Sequence, residues 1–295
     1  MGGAQNGGGT MRYGATLAMA ALPMVLCAQY SGHTWKLDEQ ETIRKTFDVG
    51  TSDRKLLVDN VHGYVHVTGY SGTQIQVTVD KHILADRAEA TAEAKRDVKL
   101  DMSQQGSFVR LYEDGPFRTS NGDTNYRGED YYGYRVVLNF DVQVPFDTEL
   151  VLKTMNHGEI QVKKTTGDYD IHGLNGGIEM EDVAGSGSVN TLNGTVKVTY
   201  SKNPTKATQY KTLNGTVDVY FRDGLNADLK FKKLNGGIYT DFDVTAVPQS
   251  ANGDSRDGKF LYRPNGRMSG RTGKGGPELS FETLNGSIRL HTKTL

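Results

Sequence analysis

The histidines are the first residues to test for chemistry, because histidine is the commonest metal ligand and proton carrier. Seven occur among the 295 residues, and none stands in a close metal-binding motif such as His-Glu-x-x-His. His62 and His66 are four residues apart in a run of alternating apolar residues, so they share one face of a predicted strand and could hold a metal together. His62 has a second explanation as a turn residue, which we favour. We therefore predict no cofactor.

Acidic residues are the next candidates, because sugar-cleaving β-helix enzymes use convergent carboxylates, often with Ca²⁺ and an Arg or Lys base. Glu159, Glu179 and Glu181 lie in the repeated second half of the chain. In the other repeats the equivalent positions are chemically mixed, with Gly, Thr and Ser at the Glu159 position and Gln, Lys, Asp, Tyr and Arg at the Glu179 position, so no cluster of acids forms. We interpret these glutamates as surface charges and predict no catalytic residue. A polysaccharide lyase or hydrolase is the alternative function.

Tyrosines are concentrated in and beside the polar segment 115–133. Tyr126, Tyr131 and Tyr132 could form a platform for a glycan or a peptide, since tyrosine combines a large contact area with a polar tip. They could instead cap the end of a stack of strands, which must be covered to avoid edge-to-edge pairing. We favour capping and keep the platform as the alternative.

A second candidate binding segment is 245–278, which is rich in glycine and arginine. Its simplest interpretation is a flexible loop that interrupts the repeats. Contact with an anionic polymer or a lipid headgroup is the alternative. The candidate contact residues are Arg256, Arg263, Arg267 and Arg271.

A repeated turn motif indicates the fold that positions these residues. The triplet Leu-Asn-Gly occurs five times, each time followed by one small residue and then Ile or Val, and its asparagines are 18, 21, 21 and 50 residues apart. A unit of about 20 residues that repeats its turn and its apolar positions is typical of a solenoid. Two further copies carry histidine in place of asparagine. The turn residues are His62, His157, Asn175, Asn193, Asn214, Asn235 and Asn285.

The apolar residues around each turn alternate with polar ones and are mostly β-branched, which predicts short strands with one buried face. Asn-Gly is also the strongest signal for a hairpin between antiparallel strands, so that alternative stays open. The variable links between units favour corners of a parallel β-solenoid, in which stacked asparagines can form an amide ladder. We therefore predict an all-β fold. It is a parallel β-solenoid, similar to a single-stranded β-helix, that follows an N-terminal β region with one helix.

Three segments follow one another along the chain. Residues 1–28 are typical of an export signal, with Met11 as the true start, a short positive region and then an apolar run. Residues 42–145 form the N-terminal β region, with a helix over 85–97 that is rich in alanine and glutamate. Residues 146–295 carry the solenoid repeats and the insertion.

The charge balance and the single cysteine restrict partners and compartment. The chain has 34 Lys and Arg against 35 Asp and Glu, which argues against a nucleic-acid partner. Cys27 lies in the export signal, and Leu26 before it disfavours a lipid anchor, for which a small residue is needed. No later apolar run approaches membrane length. We expect an exported chain without a transmembrane span, located in the periplasm, at the cell surface or outside the cell.

The Thr-Leu-Asn-Gly-x-Val units, the export signal and the helix-bearing N-terminal region together resemble the adhesin family DUF4097 of bacterial exported β-solenoid proteins. The resemblance covers about residues 47–290 and includes Tyr134-Arg135-Val136 before the strand that ends at Pro145. It implies an exported β-solenoid with no established catalytic residues. The family's name is itself an inference from architecture, and a fold does not determine a function.

These observations lead to one expected function and two alternatives. We expect a non-enzymatic binding, adhesion-like or scaffolding module at the bacterial cell envelope, with an envelope protein or a glycan as its partner. The first alternative is the carbohydrate-active enzyme described above. The second is an envelope-stress signalling role as the partner of a membrane protein.

Overall fold

The structure is a computed structural model that describes residues 33–156, 158–247, 255–256, 259–260 and 267–293. These residues form an all-β fold with two helices and two large mixed sheets. None of their helices is long and apolar enough to cross a membrane. The expected export signal 1–28, with Met11 and Cys27, lies outside the described residues, as do His157 and Arg263.

The N-terminal region contains β1 (Leu37–Asp48), β2 (Lys55–Asp59), β3 (Val65–Tyr70), β4 (Gln74–Ala85), α1 (Ala88–Asp97), β5 (Lys99–Gln105), β6 (Phe108–Asp114), α2 (Glu129–Tyr132) and β7 (Tyr134–Pro145). Helix α1 begins three residues later than the predicted residue 85. The reason is that Ala85 still pairs with Tyr134 at the end of β4.

The remaining described strands are β8 (Glu149–Asn156), β9 (Ile160–Lys163), β10 (Tyr169–Asn175), β11 (Ile178–Val183), β12 (Gly187–Asn193), β13 (Val196–Tyr200), β14 (Thr208–Asn214), β15 (Val217–Arg222), β16 (Ala227–Asn235), β17 (Ile238–Thr240), β18 (Val244–Ala246), β19 (Ser255–Arg256), β20 (Lys259–Phe260), β21 (Arg267–Thr272), β22 (Glu278–Asn285) and β23 (Ile288–Lys293).

Strands that follow one another along the repeats enter different sheets. Strand β10 ends at Asn175 in the 11-stranded sheet, and β11 begins at Ile178 in the 10-stranded sheet. Each strand then pairs in parallel with the equivalent strand of a neighbouring repeat, so that Ile178 lies beside Val196 and Asn175 beside Asn193. The Leu-Asn-Gly turns are therefore corners between two sheets, and the hairpin interpretation is wrong.

We call two strands joined at such a corner a layer. In the described chain the layers stack in the order β6–β7, β2–β3, β8–β9, β10–β11, β12–β13, β14–β15, β22–β23 and β16–β17. The order in space thus differs from the order in the chain near both ends. The layer closest to the C-terminus is inserted between the layers of Asn214 and Asn235. Antiparallel strands continue both sheets beyond β6–β7 and the 11-stranded sheet beyond β16, whereas β17 is the last described strand of the 10-stranded sheet.

The side chains that the period of two predicts to face inward are buried. The residue three positions after the asparagine is almost fully buried in four of the five repeats, and in the outermost layer Ile238 is half-buried. The residue four positions before the asparagine is also buried in every repeat. These upstream residues are Ile171, Val189, Tyr210, Phe231 and Phe281.

The corner asparagines form an amide ladder, as the repeat predicts. Five of the six corner asparagines of the described chain donate through Nδ2 to the Oδ1 of an asparagine in the adjacent layer, at distances from 2.7 to 3.3 Å. At one end the ladder reaches His62, whose Nε2 lies 3.4 Å from Asn156 Nδ2. In stack order its asparagines are Asn156, Asn175, Asn193, Asn214, Asn285 and Asn235.

Asn156, rather than His157, holds the corner position of the layer β8–β9. It pairs with Asn175, so the alignment of this repeat on His157 is wrong by one residue. Realigned on Asn156, the upstream apolar position becomes the fully buried Leu152 in place of Lys153. In the other repeats the glycine follows the asparagine directly, whereas here one residue separates Asn156 from Gly158. This extra residue made the correct register difficult to recognise in the sequence.

The corner glycines allow the layers to approach each other. A Cβ on Gly176 would lie 2.0 Å from the carbonyl oxygen of Gly158, which is far closer than two such atoms can come. The same close approach recurs at the next corners, where a Cβ on Gly194 would lie 2.3 Å from the Gly176 oxygen. Thr191 Oγ1 also donates to that oxygen at 2.9 Å. Glycine is thus required at the corner by packing.

Three buried tyrosines join their hydroxyl groups inside the core. Tyr169 and Tyr210 come from the 11-stranded sheet and Tyr200 from the other sheet. The Tyr200 hydroxyl is hydrogen-bonded to that of Tyr169 and lies 2.6 Å from that of Tyr210. Burial raises the pKa of all three well above the ordinary value, so they remain neutral. The network spans the two sheets.

The corner packing predicts different outcomes for two adjacent glycines. Gly176→Ala should lower the free energy of unfolding by about 3 kcal/mol, because the new Cβ overlaps the neighbouring layer. Gly177→Ala is the matched control, since its Cβ would lie 3.4 Å from its nearest atom and should cost less than about 1 kcal/mol. Urea unfolding of both variants measures the difference. Equal losses would contradict the steric role of the corner.

The tyrosine network predicts that removing one hydroxyl is worse than removing three. Tyr200→Phe should cost about 2 kcal/mol, because it leaves the buried hydroxyls of Tyr169 and Tyr210 without their partner. The triple Phe variant should cost less, since no buried hydroxyl of the network is then left unpaired. Thermal unfolding of both variants compares them, and a triple variant less stable than the single one would refute this account.

Candidate functional site

Loop 115–133 connects β6 to β7 and forms the corner of the outermost parallel layer at one end of the stack. It contains the one-turn helix α2, whose Glu129 forms an ion pair with Arg135. The Arg135 side chain lies in β7 and is 1% exposed. A buried charged contact therefore fastens the loop to the sheet, and the tyrosines of α2 take their positions from it.

Two of the three candidate tyrosines face the stack. Tyr126 and Tyr132 are half-buried and pack against the main core. The Tyr126 ring meets the ring of His62 edge-on at a centroid distance of 4.5 Å, and it lies 5.3 Å from the Tyr132 ring. Because His62 stands at the end of the amide ladder, these rings cover that end. The strand edges of this layer are covered by β4 and β5, so Tyr126 and Tyr132 cover its corner and not its strand edges.

Tyr131 differs from them because it faces outward and is 62% exposed. The guanidinium of Arg127 lies over its ring, 4.9 Å from the centroid, and Nη1 donates to its hydroxyl at 3.1 Å. The platform alternative therefore concerns Tyr131 together with Arg127. Arg127 lies within the loop singled out in the sequence but was not among the candidate residues.

A shallow pocket of about 270 Å³ opens beside Tyr131. Its inner wall is rigid, because Arg118 pairs with Asp59 at 2.9 Å and donates to the Glu113 carbonyl oxygen at 2.8 Å. The Arg118 side chain is only 5% exposed, whereas the residues of the outer wall, Arg127 and Tyr131, are exposed. The pocket is lined by Pro116, Phe117, Arg118, Thr119, Asn125, Arg127, Tyr131 and Tyr132.

A buried carboxyl group lies directly beneath the loop. Glu113 is fully buried, and its Oε2 accepts the backbone N–H of Val61 at 2.7 Å. Within the described chain its Oε1 has no partner. Burial raises the pKa of Glu113 to about 8, against the opposing effects of the Val61 amide and the nearby Arg118. The carboxyl group is therefore mostly protonated at neutral pH and joins the loop-bearing strand to the next layer as a neutral group.

Sequence reasoning missed Glu113 although the sequence contains a signal for it. Val109, Leu111 and Glu113 alternate along β6 and share its inward face. A carboxylate at an inward position of a period-two strand is unusual and marks a buried ionisable group. Arg118 and Arg135 give no such signal, because their burial depends on contacts with distant segments.

The glutamates considered as catalytic candidates do not converge in the structure. Each lies on the outer face of the 10-stranded sheet or its corner and pairs with a basic side chain. Glu179 meets Lys197 at 2.8 Å, and this hydrogen bond lowers its pKa. Glu181 lies 3.8 Å from Lys163, and Glu159 lies 3.1 Å from His66. They have the positions expected of surface charges.

His62 and His66 do not form a shared site. His62 is buried at the corner beneath Tyr126, whereas the partly exposed His66 stacks on Tyr64 and contacts Asp141 and Glu159. Alternation predicts that the two histidines share one face of a strand. This prediction is wrong because residues 62–64 form the corner of the layer. Across the described residues, no group of three or more His, Cys, Asp or Glu could hold a metal ion.

The insertion 245–278 is not simply a flexible loop, because its residues 267–272 form β21. This strand pairs antiparallel with β16 and covers the outer edge of that strand. Arg271 pairs there with Asp228 at 2.6 Å, which raises the pKa of Arg271 and lowers that of Asp228. Arg267 lies in β21 and Arg256 in β19. Of the four candidate arginines, Arg271 thus forms an ion pair between two strands.

Comparison with known proteins yields only weak likenesses. No protein-family model matches the chain, and no curated protein matches it. One similar solved structure is a putative cell adhesion protein from Clostridium sporogenes, with 12% identity, a TM-score of 0.38, and coverage of 86% of this chain and 100% of that one. Another is a putative lipid binding protein from Parabacteroides distasonis, with 10% identity, a TM-score of 0.25, and coverage of 86% and 97%.

The buried Glu113 predicts a specific pH dependence of stability. Its pKa in the folded chain lies above the value of 4.5 that it has when exposed, so the free energy of unfolding falls as pH rises from about 4.5 to about 8. Glu113→Gln keeps the shape of the side chain and stays neutral. Between mildly acidic and mildly alkaline pH, the free energy of unfolding of this variant should therefore fall less than that of the parent chain, by on the order of 3 kcal/mol. Urea unfolding at both pH values measures this.

The exposed Glu181→Gln serves as the control for this experiment and should follow the parent chain. A parent chain and a Glu113→Gln variant with the same slope would show that Glu113 does not hold its proton more tightly in the folded state.

Proposed function

We propose that this chain is a non-enzymatic binding and scaffolding module of the bacterial cell envelope, exported by residues 1–28. The in-register parallel pairing of strands that alternate between two sheets supports its description as a parallel β-solenoid. The resemblance to the DUF4097 family belongs to the same proposal. The partner is an envelope glycan or protein, and the stack of layers provides a rigid support for its binding site.

The exposed Tyr131 ring under the Arg127 guanidinium is the observation that carries the binding role. An aromatic face offers apolar contact to the C–H groups of a sugar ring. A guanidinium offers planar donors that match a carboxylate. Arg118, whose charge is paired with Asp59, supplies the rigid inner wall of the same pocket. A saccharide unit with a carboxylate combines both features, and we assign this class of ligand to the pocket.

A carbohydrate-active enzyme remains the alternative to a binding module. The geometry favours binding, because the glutamates of the repeat face pair singly with basic side chains and do not meet across one cleft. Product analysis of the saccharides used in the binding experiment separates the two functions. Unchanged saccharides support a binding module, whereas shortened ones would support the enzyme.

The pocket predicts that Tyr131→Ala weakens binding of an oligogalacturonate about tenfold, since the exposed ring is lost. Titration calorimetry compares this acidic chain with a neutral malto-oligosaccharide of equal length, which should bind more weakly to the parent. Tyr239→Ala is the matched control, because Tyr239 is 59% exposed at the opposite end of the stack. No saturable binding of the acidic chain, or equal losses in both variants, would contradict the assignment.

A further inference from the structure

The Asn-Gly turns are sites where the chain can react with itself. The backbone nitrogen of the glycine can attack the side-chain amide carbon of the asparagine, which forms a five-membered succinimide and releases ammonia. Water then opens the ring to aspartate or isoaspartate. Glycine favours the reaction because it has no side chain to hinder the attack. The described chain contains six such pairs, with asparagines Asn121, Asn175, Asn193, Asn214, Asn235 and Asn285.

Exposure does not distinguish these sites, since all six asparagines are exposed. The sites differ instead in whether the glycine nitrogen is hydrogen-bonded. Four of the corner glycines donate their N–H to the asparagine carbonyl of the adjacent layer, at 2.9 to 3.2 Å, and Gly122 donates to Thr119 at 2.9 Å. A nitrogen held in this way must leave its partner before it can attack. The four bonded corner glycines are Gly176, Gly194, Gly215 and Gly286.

Gly236 is the exception, because its layer is the outermost one and no parallel layer follows it in the stack. Among the described residues its N–H has no hydrogen-bond acceptor, and its φ is 109°. Gly236 is therefore the corner glycine whose nitrogen is not held by a hydrogen bond.

The amide of Asn235 is also held less firmly than those of the other ladder asparagines. An asparagine inside the ladder donates through Nδ2 and accepts through Oδ1. Asn235 donates to Asn285 at 2.7 Å, but within the described chain its Oδ1 accepts no hydrogen bond. The attack requires the amide carbon to turn toward the glycine nitrogen. One hydrogen bond opposes that rotation at Asn235, whereas two oppose it at an interior asparagine.

We propose that Asn235 is the preferred site of spontaneous modification among these six, and that the ladder protects the others. The product at Asn235 carries a carboxylate and cannot donate to Asn285 Oδ1. The isoaspartate form also adds one carbon to the main chain just before β17, whose Ile238 pairs with Ile288. The modification therefore adds charge at this end of the ladder and loosens the outermost layer.

The chain contains an internal control for this proposal. The pentapeptide Leu-Asn-Gly-Gly-Ile occurs twice, at 174–178 inside the stack and at 234–238 in the outermost layer. The local sequence around Asn175 and Asn235 is therefore identical. A difference in their rates of modification has to come from the folded structure.

The experiment incubates the full chain at mildly alkaline pH and follows isoaspartate and aspartate by peptide mapping. Asn235 should react at least about tenfold faster than Asn175 in the folded chain, because the interior corner must first open locally. In denaturant the two rates should converge. Asn252 shares a tryptic peptide with Asn235, so fragment ions assign the site.

Two variants complete the test. Asn235→Gln should remove the fast product and leave the slow ones, whereas Asn175→Gln should leave the fast product unchanged. Equal rates at Asn175 and Asn235 in the folded chain, or an earlier product at any of the other four sites, would overturn the proposal.

Discussion

The close approach of glycine corners is the constraint on which the rest of this structure depends. The carbonyl oxygen of one corner glycine occupies the place where a Cβ of the next would stand, so successive layers meet backbone to backbone. This contact sets the register between neighbouring layers. The asparagines before the glycines then come within hydrogen-bond distance, and a threonine such as Thr191 reaches the carbonyl of the adjacent corner. The amide ladder and the buried columns are consequences of that register.

The exchange of layer order at the β16–β17 end follows from the same contact. Any layer with a corner glycine fits beside any other, so nothing local makes the last repeat take the last place. Strand β22 enters between β14 and β16, and β21 then covers the outer edge of β16. This order requires a long connection before β22. The free-energy cost of closing it is little higher than that of a short loop, because the entropy of loop closure grows slowly with length. In return, the outer edge of β16 is covered by a strand that is distant in sequence.

Much of the stack was predictable because its rules are local. The period of two identified the buried faces, and repeated Asn-Gly identified the corners and the ladder. The shift from His157 to Asn156 was not predicted. One extra residue before the glycine moves the register by one position, but the sequence still resembles the turn motif. The site at loop 115–133 was only partly predictable. The tyrosines were visible, but which ring points outward is decided by the buried pair of Arg135 and Glu129, which no local pattern specifies.

The direction of the hydrogen bonds explains why the two ends of the stack differ. Every ladder amide donates toward the β6–β7 end, where the last donor, Asn156, meets the ring nitrogen of His62 beneath the Tyr126 ring. Corner glycine N–H groups donate the opposite way, so the β16–β17 end finishes with the N–H of Gly236 and the Oδ1 of Asn235. A stack of identical corners therefore has a direction. Its two ends present different hydrogen-bonding groups, so the same capping residues cannot satisfy both ends. An acceptor and an aromatic cover suit the first end, where His62 and the Tyr126 ring provide them.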